Sequence, residues 1–137
     1  MLTRFGVSVE EDLLQKFDLL LSQEGYSNRS EAIRDLIRDA LVRRRWTDEV
    51  RAEIAGVAIL VYDHHRHELA QKVTDIQHEH YAEIVATMHV HLDHDNCLEV
   101  ILLRGRADRI KSCAGSLIST RGVKHGQFVP TTTGAEL

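Results

Sequence analysis

The first 45 residues carry more apolar surface than one copy of so short a segment can bury, which limits what the chain can fold into. Apolar Phe5, Val7 and Val9 alternate with Arg4, Gly6 and Ser8, a pattern that predicts a short strand with one buried face. Helical spacing of apolar residues then predicts two amphipathic helices. Their apolar positions are Leu13, Leu14, Phe17, Leu20 and Leu21 in the first, and Ala32, Ile33, Leu36, Ile37, Ala40 and Leu41 in the second.

The expected helix ends follow from capping chemistry. Ser8 and Glu11 have the spacing of a capping box for the first helix, and Gly25 suits its end. Asn28, with Glu31 at the third helical position, is the expected cap of the second helix. A strand-helix-helix unit of this size leaves too much surface exposed, and its lone strand has unpaired backbone groups. We therefore expect two chains to pair their strands antiparallel about a two-fold axis, as an obligate dimer.

The remainder of the chain predicts a second, larger domain. Residues 43–54 are polar and charged, and we expect them to extend the second helix and then to form a linker. Strand-like and helix-like segments then alternate. The expected segments are a strand over 56–62, a helix over 68–80, a strand over 83–92, a turn over 93–96, a strand over 98–103, a helix over 107–120 and a strand over 123–129. This β-α-β-β-α-β order predicts an α+β protein whose second domain is ferredoxin-like.

The predicted N-terminal strand has the features of a ribbon that reads DNA. A two-stranded ribbon fits the major groove, and Arg4, Gly6 and Ser8 would share its outward face. The positive end of the second helix could hold a phosphate through Asn28, Arg29 and Ser30. An interlocked dimerisation module without DNA binding is the alternative. The formal net charge of −4 excludes a general nucleic-acid coat, so DNA contact must come from a local face.

A run of imidazole and thiol groups marks the second domain as a candidate metal site. His89 and His91 are two residues apart on a strand, so both rings leave the same face. Cys97 follows the turn and begins the return strand, where it can approach that face. His78, at the end of the preceding helix, could supply a fourth donor from the same chain or from a neighbour. Such donors suit zinc, copper or nickel and exclude calcium and magnesium.

Other histidines and the second cysteine are weaker candidates. His80 and His94 flank the proposed donors, whereas His64, His65 and His67 are expected to be solvated and His125 to pack or hydrogen-bond at a turn. Cys113 falls among apolar residues of a predicted helix and is expected to be a buried small hydrophobe. Two cysteines give no disulfide framework. No apolar run is long enough to cross a membrane, and the N-terminus has no signal-peptide pattern, so we expect a cytoplasmic protein.

These motifs together resemble the nickel-responsive transcriptional regulators of the NikR family across nearly the whole chain. The matching stretches are Gly25–Asp35, Gln77-His78, His89-Val-His91, Asn96–Glu99 and Arg121–Gly126. The resemblance implies a ribbon-helix-helix DNA-binding and dimerisation domain at 1–48 and an ACT-like metal-binding and tetramerisation domain at 55–133. It also implies a homotetramer, built as a dimer of dimers, that binds operator DNA and represses nickel-uptake genes.

The resemblance further implies one Ni²⁺ per subunit, in a planar site of His89, His91 and Cys97 from one chain and His78 from another. Glu31 and Asp35 match positions linked to a second cation. Gly6 stands where better-known members carry a threonine that contacts bases, which leaves the operator sequence open.

Two other functions compete with a nickel-dependent regulator. A metal enzyme would need an open coordination position and a placed acid or base; four protein ligands close the site, so we do not expect an enzyme. The other is a ribbon-helix-helix regulator that senses another metal or a small ligand through its ACT-like domain. In the regulator, metal and DNA would favour each other reciprocally, with dimers that sample many orientations about residues 46–54 in the absence of metal.

Overall fold

The computed structural model describes residues 1–135 and 137, and the chain divides into two compact units, residues 1–40 and 41–137. The predicted helices and strands of the second domain are all formed, within a few residues of the expected bounds. In chain order the elements are α1 (Glu11–Glu24), α2 (Arg29–Asp48), β1 (Glu53–Asp63), α3 (His67–Glu79), β2 (Ile84–His91), β3 (Asn96–Arg106), α4 (Ala107–Ile118) and β4 (His125–Thr131).

The single chain does not form the strand predicted over residues 4–9. Residues 1–10, all of them described, are exposed and adopt neither helix nor strand. A strand is defined by hydrogen bonds to a neighbouring strand, and the expected partner is a second copy of this segment. Phe5 and Val7 are 67% and 66% exposed, so the apolar face that the alternation predicts lies uncovered in one chain.

The helix ends of the first unit test the capping predictions. The prediction that Ser8 caps α1 is wrong: the helix begins at Glu11, its N-cap is Glu10, and no side chain caps it. Ser8 lies outside the first turn, where acidic residues instead complement the positive end of the helix. Gly25 ends α1 as predicted, with a φ of 82° that favours glycine. Asn28 caps α2, since its Oδ1 accepts the Glu31 backbone N–H at 2.9 Å.

The second unit is a four-stranded antiparallel sheet with strand order β2-β3-β1-β4. Together with α3 and α4 this is the ferredoxin-like arrangement that the element order predicts. Buried and partly exposed side chains alternate along β1 and β3, because one face of the sheet packs on the helices. The core on this face includes Leu60, Tyr62, Val73, Ile101, Leu103, Ile110, Cys113 and Leu117.

Strand β2 forms one edge of the sheet, and this position leaves its side chains accessible. Residues 85–91 are exposed, while β3 beside it is buried at every second position. The 92–95 turn that joins the two strands is held by Asp93, whose Oδ1 accepts the backbone N–H groups of Asp95 and Asn96. The hairpin therefore presents its side chains at an open edge. Among the described residues, no helix has the length and apolar character that a bilayer crossing demands.

Candidate metal centre

The β2–β3 hairpin places three predicted donors on one face of the sheet. His91 is directly opposite Cys97 in the antiparallel register, and His89 is opposite Glu99. Residues opposite each other, and residues two apart on one strand, point to the same face. The rings of His89 and His91 stack with centroids 5.4 Å apart. The hairpin therefore brings two imidazoles and a thiol to one face, near the turn that joins its strands.

Cys97 lies on the helix-covered face of the sheet and is fully buried. Its thiol donates a hydrogen bond to the Tyr62 backbone carbonyl at 3.4 Å. Burial raises the pKa of the Cys97 thiol, because the thiolate is poorly solvated there and the nearby Glu99 carboxylate repels it. A metal that binds this sulfur must therefore displace a proton that the protein environment retains.

Glu99 is a buried carboxylate beside the imidazoles, and two polar side chains contact it. It is 9% exposed and accepts a hydrogen bond from Gln77 Nε2 at 3.1 Å, with Tyr62 Oη 3.5 Å away. Its Oε1 lies 4.0 Å from His89 Nδ1. Burial raises the pKa of Glu99, while His89 and the two hydrogen bonds act in the opposite direction. Glu99 therefore places a carboxylate next to the His89 ring, where it can stabilise positive charge.

The described single chain does not gather all four predicted metal ligands. His89, His91 and Cys97 share a face, yet the group of three or more His, Cys, Asp or Glu donors within 4.8 Å of one another in the described residues is His65, His94 and Asp95. His78 is exposed near the end of α3. Gln77 turns toward Glu99, and one residue further along a helix turns by about 100°. The side chain of His78 therefore leaves the helix in a different direction from that of Gln77.

The donor set nonetheless fits a borderline transition metal. Two imidazoles and a potential thiolate on one sheet face are soft or intermediate donors, which Ni²⁺, Cu²⁺ and Zn²⁺ accept and hard cations do not. The edge position of β2 leaves the imidazoles accessible, with the His89 side chain 41% exposed. The residues present therefore suit the nickel ion that the resemblance implies, with room for a donor from another chain.

The candidate DNA-binding residues lie in the first unit. Arg4, Gly6 and Ser8 are all exposed in the irregular N-terminal segment. Arg29 forms a two-point ion pair with Asp18 of α1, with nitrogen–oxygen distances of 2.9 and 2.8 Å. This pair lowers the pKa of Asp18. A phosphate that contacts Arg29 would compete with Asp18 for the guanidinium group.

Two further N-terminal positions, Asn28 and Ser30, lie at the start of α2. The side chain of Asn28 is engaged in the helix cap described above, whereas Ser30 is exposed within the first turn. Backbone N–H groups at this end can still receive an anion, since the first turn of a helix leaves its donors unpaired.

Glu31 and Asp35 share one face of α2 but are each engaged with other side chains. Glu31 pairs with Arg34. Asp35 accepts the Tyr26 hydroxyl at 2.6 Å and pairs with Arg38 at 3.2 Å. The hydrogen bond to Asp35 is the main reason that the pKa of Tyr26 rises to about 12. A cation at these carboxylates would have to replace both arginines.

Sequence reasoning missed the roles of Gln77, Tyr62 and Glu99 around His89. The signal was present in part: Glu99 is a charged residue in the apolar run 98–103, two residues from Cys97 and on the same face. It also missed that His64 and His65 contact the hairpin. Their ring nitrogens lie 2.8 and 3.0 Å from the His94 carbonyl oxygen. No local pattern shows a contact between segments about 30 residues apart.

Comparisons with known proteins match both units. The family model described as NikR C terminal nickel binding domain matches residues 55–131. The model described as ribbon-helix-helix protein, copG family, matches residues 3–44. The first match alone spans more than half of the chain.

Full-length relatives give the same result. The chain is 54% identical to a protein of Solibacter usitatus over 99% of this chain and 97% of the relative, and 52% identical to one of Thermococcus onnurineus over 99% and 98%. Both carry the name "Putative nickel-responsive regulator". An uncharacterized protein of Thermotoga maritima, 18% identical, is similar in structure with a TM-score of 0.52 over 58% of this chain and 98% of that one. That likeness concerns the fold alone.

Proposed function

Because this chain belongs to the family of nickel-responsive regulators, we propose that Ni²⁺ controls its binding to operator DNA through a site shared between chains. The proposed ligands are His89, His91 and Cys97 of one chain and His78 of another, with one nickel ion per subunit. The proposed outcome is repression of nickel-uptake genes. The proposed domains are 1–48 for DNA binding and dimerisation and 55–133 for metal binding and tetramerisation.

One observation carries the metal-site proposal, namely the register of the β2–β3 hairpin. Opposite positions of an antiparallel pair have Cβ atoms about 4.5–5.5 Å apart. The pairing of His91 with Cys97, and the position of His89 two residues along β2, therefore put three donors at neighbouring points of one surface. A slip of one residue would turn both histidines to the opposite face. The exposed His78, next to a Gln77 that is held by Glu99, supports a fourth ligand from outside this chain.

The chain's own residues prepare the site in two ways. Glu99 lies beside His89, with Oε1 4.0 Å from Nδ1, and is itself fixed by Gln77, so a carboxylate is already placed next to that ring. Its negative charge also offsets the positive charge that collects at the imidazoles. When bound, nickel supplies bonds that join donors of two chains. His78 is in the last turn of α3, so anchoring it would also order the end of that helix.

Control of DNA binding then follows from reciprocal coupling. If the metal-bound form binds the operator more tightly, the operator must raise metal affinity by the same factor. A coupling of about 1–3 kcal/mol corresponds to a change in operator affinity on the order of 5–150-fold. We propose that Arg4, Gly6 and Ser8 face the DNA bases and that Asn28, Arg29 and Ser30 contact phosphates at the start of α2. Release of Arg29 from Asp18 would accompany that contact.

Uncovered apolar surface in each unit supports assembly into a homotetramer. In the first unit Phe5, Val7 and Leu13 are each more than half exposed. In the second unit, the face of the sheet opposite the helices exposes Met88 and Leu102, which are 62% and 40% accessible. Contiguous apolar surface of this kind marks interfaces between proteins. We propose that the first surface forms a dimer and the second joins two dimers.

We also propose Glu31 and Asp35 as a second cation position. The carboxylates are four residues apart on one helix face. Both are ion-paired with arginines. Occupancy by a cation would therefore require Arg34 and Arg38 to turn toward another acceptor, for which operator phosphate is suited.

The proposal is tested by a gel-shift titration of operator DNA with and without nickel, on the native chain and on Cys97→Ala. Nickel should increase the operator affinity of the native chain and leave that of Cys97→Ala unchanged. Cys113→Ala is the matched control, because this second buried cysteine lies in α4 and is not among the proposed ligands. An equal nickel response in Cys97→Ala would overturn the proposed site.

A further inference from the structure

We propose that the tip of the β2–β3 hairpin is a second metal site, held within one chain by His65, His94 and Asp95. These three residues offer ligand atoms within 4.8 Å of one another. None of them is a ligand of the shared site proposed above, so the inference does not rest on that function. The ligand is a borderline divalent transition ion such as Zn²⁺, Ni²⁺ or Cu²⁺.

The spacing of the donor atoms fits a first coordination sphere. Asp95 Oδ1 lies 3.1 Å from His94 Nδ1 and 3.6 Å from His65 Nε2. With metal–nitrogen and metal–oxygen bonds of about 2.0–2.2 Å, the edges of a tetrahedral site are about 3.3–3.6 Å long. Two of the three separations are therefore within a few tenths of an ångström of what a bound ion requires. The third separation, between ring nitrogens of His65 and His94, is at most 4.8 Å, and both exposed rings would turn to shorten it.

Backbone hydrogen bonds fix the segments that carry these donors. The His64 backbone N–H donates to the Asp95 carbonyl at 3.0 Å, which joins the segment after β1 to the hairpin tip. The His65 backbone N–H donates to Asp63 Oδ1 at 2.9 Å. Asp93 holds the turn on the other side, as described above. Because the backbone of both segments is already fixed, binding an ion would order only three side chains. The entropic cost of binding would therefore be small.

Removal of His65 from its present hydrogen bond leaves no unpaired group. His64 Nε2 and His65 Nε2 both lie against the His94 carbonyl oxygen, at 2.8 and 3.0 Å. If His65 turns to an ion, His64 still satisfies that carbonyl. The proton of each coordinating nitrogen moves to the other ring nitrogen, so both imidazoles bind in neutral form.

The chemistry of His65, His94 and Asp95 determines which ions they can bind and how tightly. Two imidazoles and one carboxylate carry a single negative charge, suited to a divalent ion of intermediate softness and poorly suited to Ca²⁺ or Mg²⁺. The side chains of His65, His94 and Asp95 are 51%, 90% and 63% exposed. Water can thus complete the coordination, and the site would bind more weakly than a site with a buried thiolate.

The test is equilibrium dialysis of the full-length protein against nickel, with metal analysis and optical absorption of each sample. The double variant His65→Ala/His94→Ala should bind one nickel ion per chain fewer than the native protein. It should keep the thiolate-to-nickel absorption, which reports on Cys97. Cys97→Ala should show the converse, with that absorption lost and the ion at the hairpin tip retained.

A double variant of two other exposed histidines, His67→Ala/His125→Ala, controls for nonspecific binding of nickel to surface imidazoles. It should bind as much nickel as the native chain. Equal metal content in His65→Ala/His94→Ala and in this control would overturn the second site. An unaltered absorption in Cys97→Ala would instead overturn the shared site and leave this inference standing, so the two failures are distinguishable.

Discussion

Replacing Glu99 by glutamine tests how the protein prepares His89 for a metal. The substitution keeps the shape of the side chain and removes a buried charge whose oxygen lies 4.0 Å from His89 Nδ1. A ligating imidazole is neutral, so the charge that Glu99 meets is the part of the ion's charge drawn onto the ring. A full unit charge 4 Å away would interact with Glu99 by about 1 kcal/mol in water and about 4 kcal/mol at an effective dielectric constant of 20. Loss of such partners of metal-binding histidines lowers metal affinity by about 10–100-fold. That factor equals about 1.4–2.7 kcal/mol and lies inside the electrostatic range.

Nickel affinity should therefore fall by about 10–100-fold in Glu99→Gln, as measured by competition with a chelator of known affinity. Operator affinity at saturating nickel should change little, because the ligands themselves are intact. Glu68→Gln is the matched control, since it removes the same charge from an exposed position at the start of α3. Equal nickel affinities for Glu99→Gln and Glu68→Gln would refute the role assigned to Glu99.

Three further predictions concern stability and DNA binding. Leu117→Ala removes a fully buried side chain of α4 and should lower the free energy of unfolding in urea by about 2–5 kcal/mol; a loss below about 1 kcal/mol would contradict the assigned core. Hydrogen bonds from Asn96 and Asp95 lower the pKa of Asp93 from 3.8 to about 2, so its contribution is present above pH 3.8 and is lost as the pH falls to about 2. Acid unfolding followed by circular dichroism should therefore be less steep over that interval in Asp93→Asn, and identical curves would exclude this contribution. Arg4→Ala should weaken specific operator binding in fluorescence anisotropy and spare nickel affinity, whereas unchanged operator affinity would reject the ribbon-face assignment.

Much of the fold could be predicted because its signals are local. The apolar runs of β1 and β3, the helical spacing in α3 and α4, and the turn at Asp93 each depend on a few neighbouring residues. The Asn28 cap was recognisable for the same reason. The prediction that Ser8 caps α1 failed because capping-box spacing alone does not decide where a helix begins. The helix begins later, at the acidic residues of its first turn. The strand over residues 4–9 needs a second chain, which one copy does not contain.

Local sequence likewise predicts only part of the candidate site. His89, His91 and Cys97 are predictable as neighbours, since a strand, a tight turn and a return strand fix their faces. The contacts of Glu99, which lies beside His89, were not predictable. Its partners Gln77 and Tyr62 are 22 and 37 residues away from it in the sequence. The hairpin-tip group of His65, His94 and Asp95 depends on a contact of the same long-range kind. Sequence spacing identifies donors on one hairpin, and tertiary packing decides what surrounds them.

A complementation experiment tests the shared metal site most directly. His78→Ala and Cys97→Ala chains are each expected to lack the thiolate-to-nickel absorption, the second because its sulfur is gone. Co-assembled in equal amounts, they should regain it at about a quarter of the sites, where an intact hairpin meets an intact His78 of another chain. A mixture of His89→Ala and Cys97→Ala, whose lesions share one hairpin, should regain none. If the first mixture also shows no absorption, the site is not shared between chains, and the central proposal is wrong.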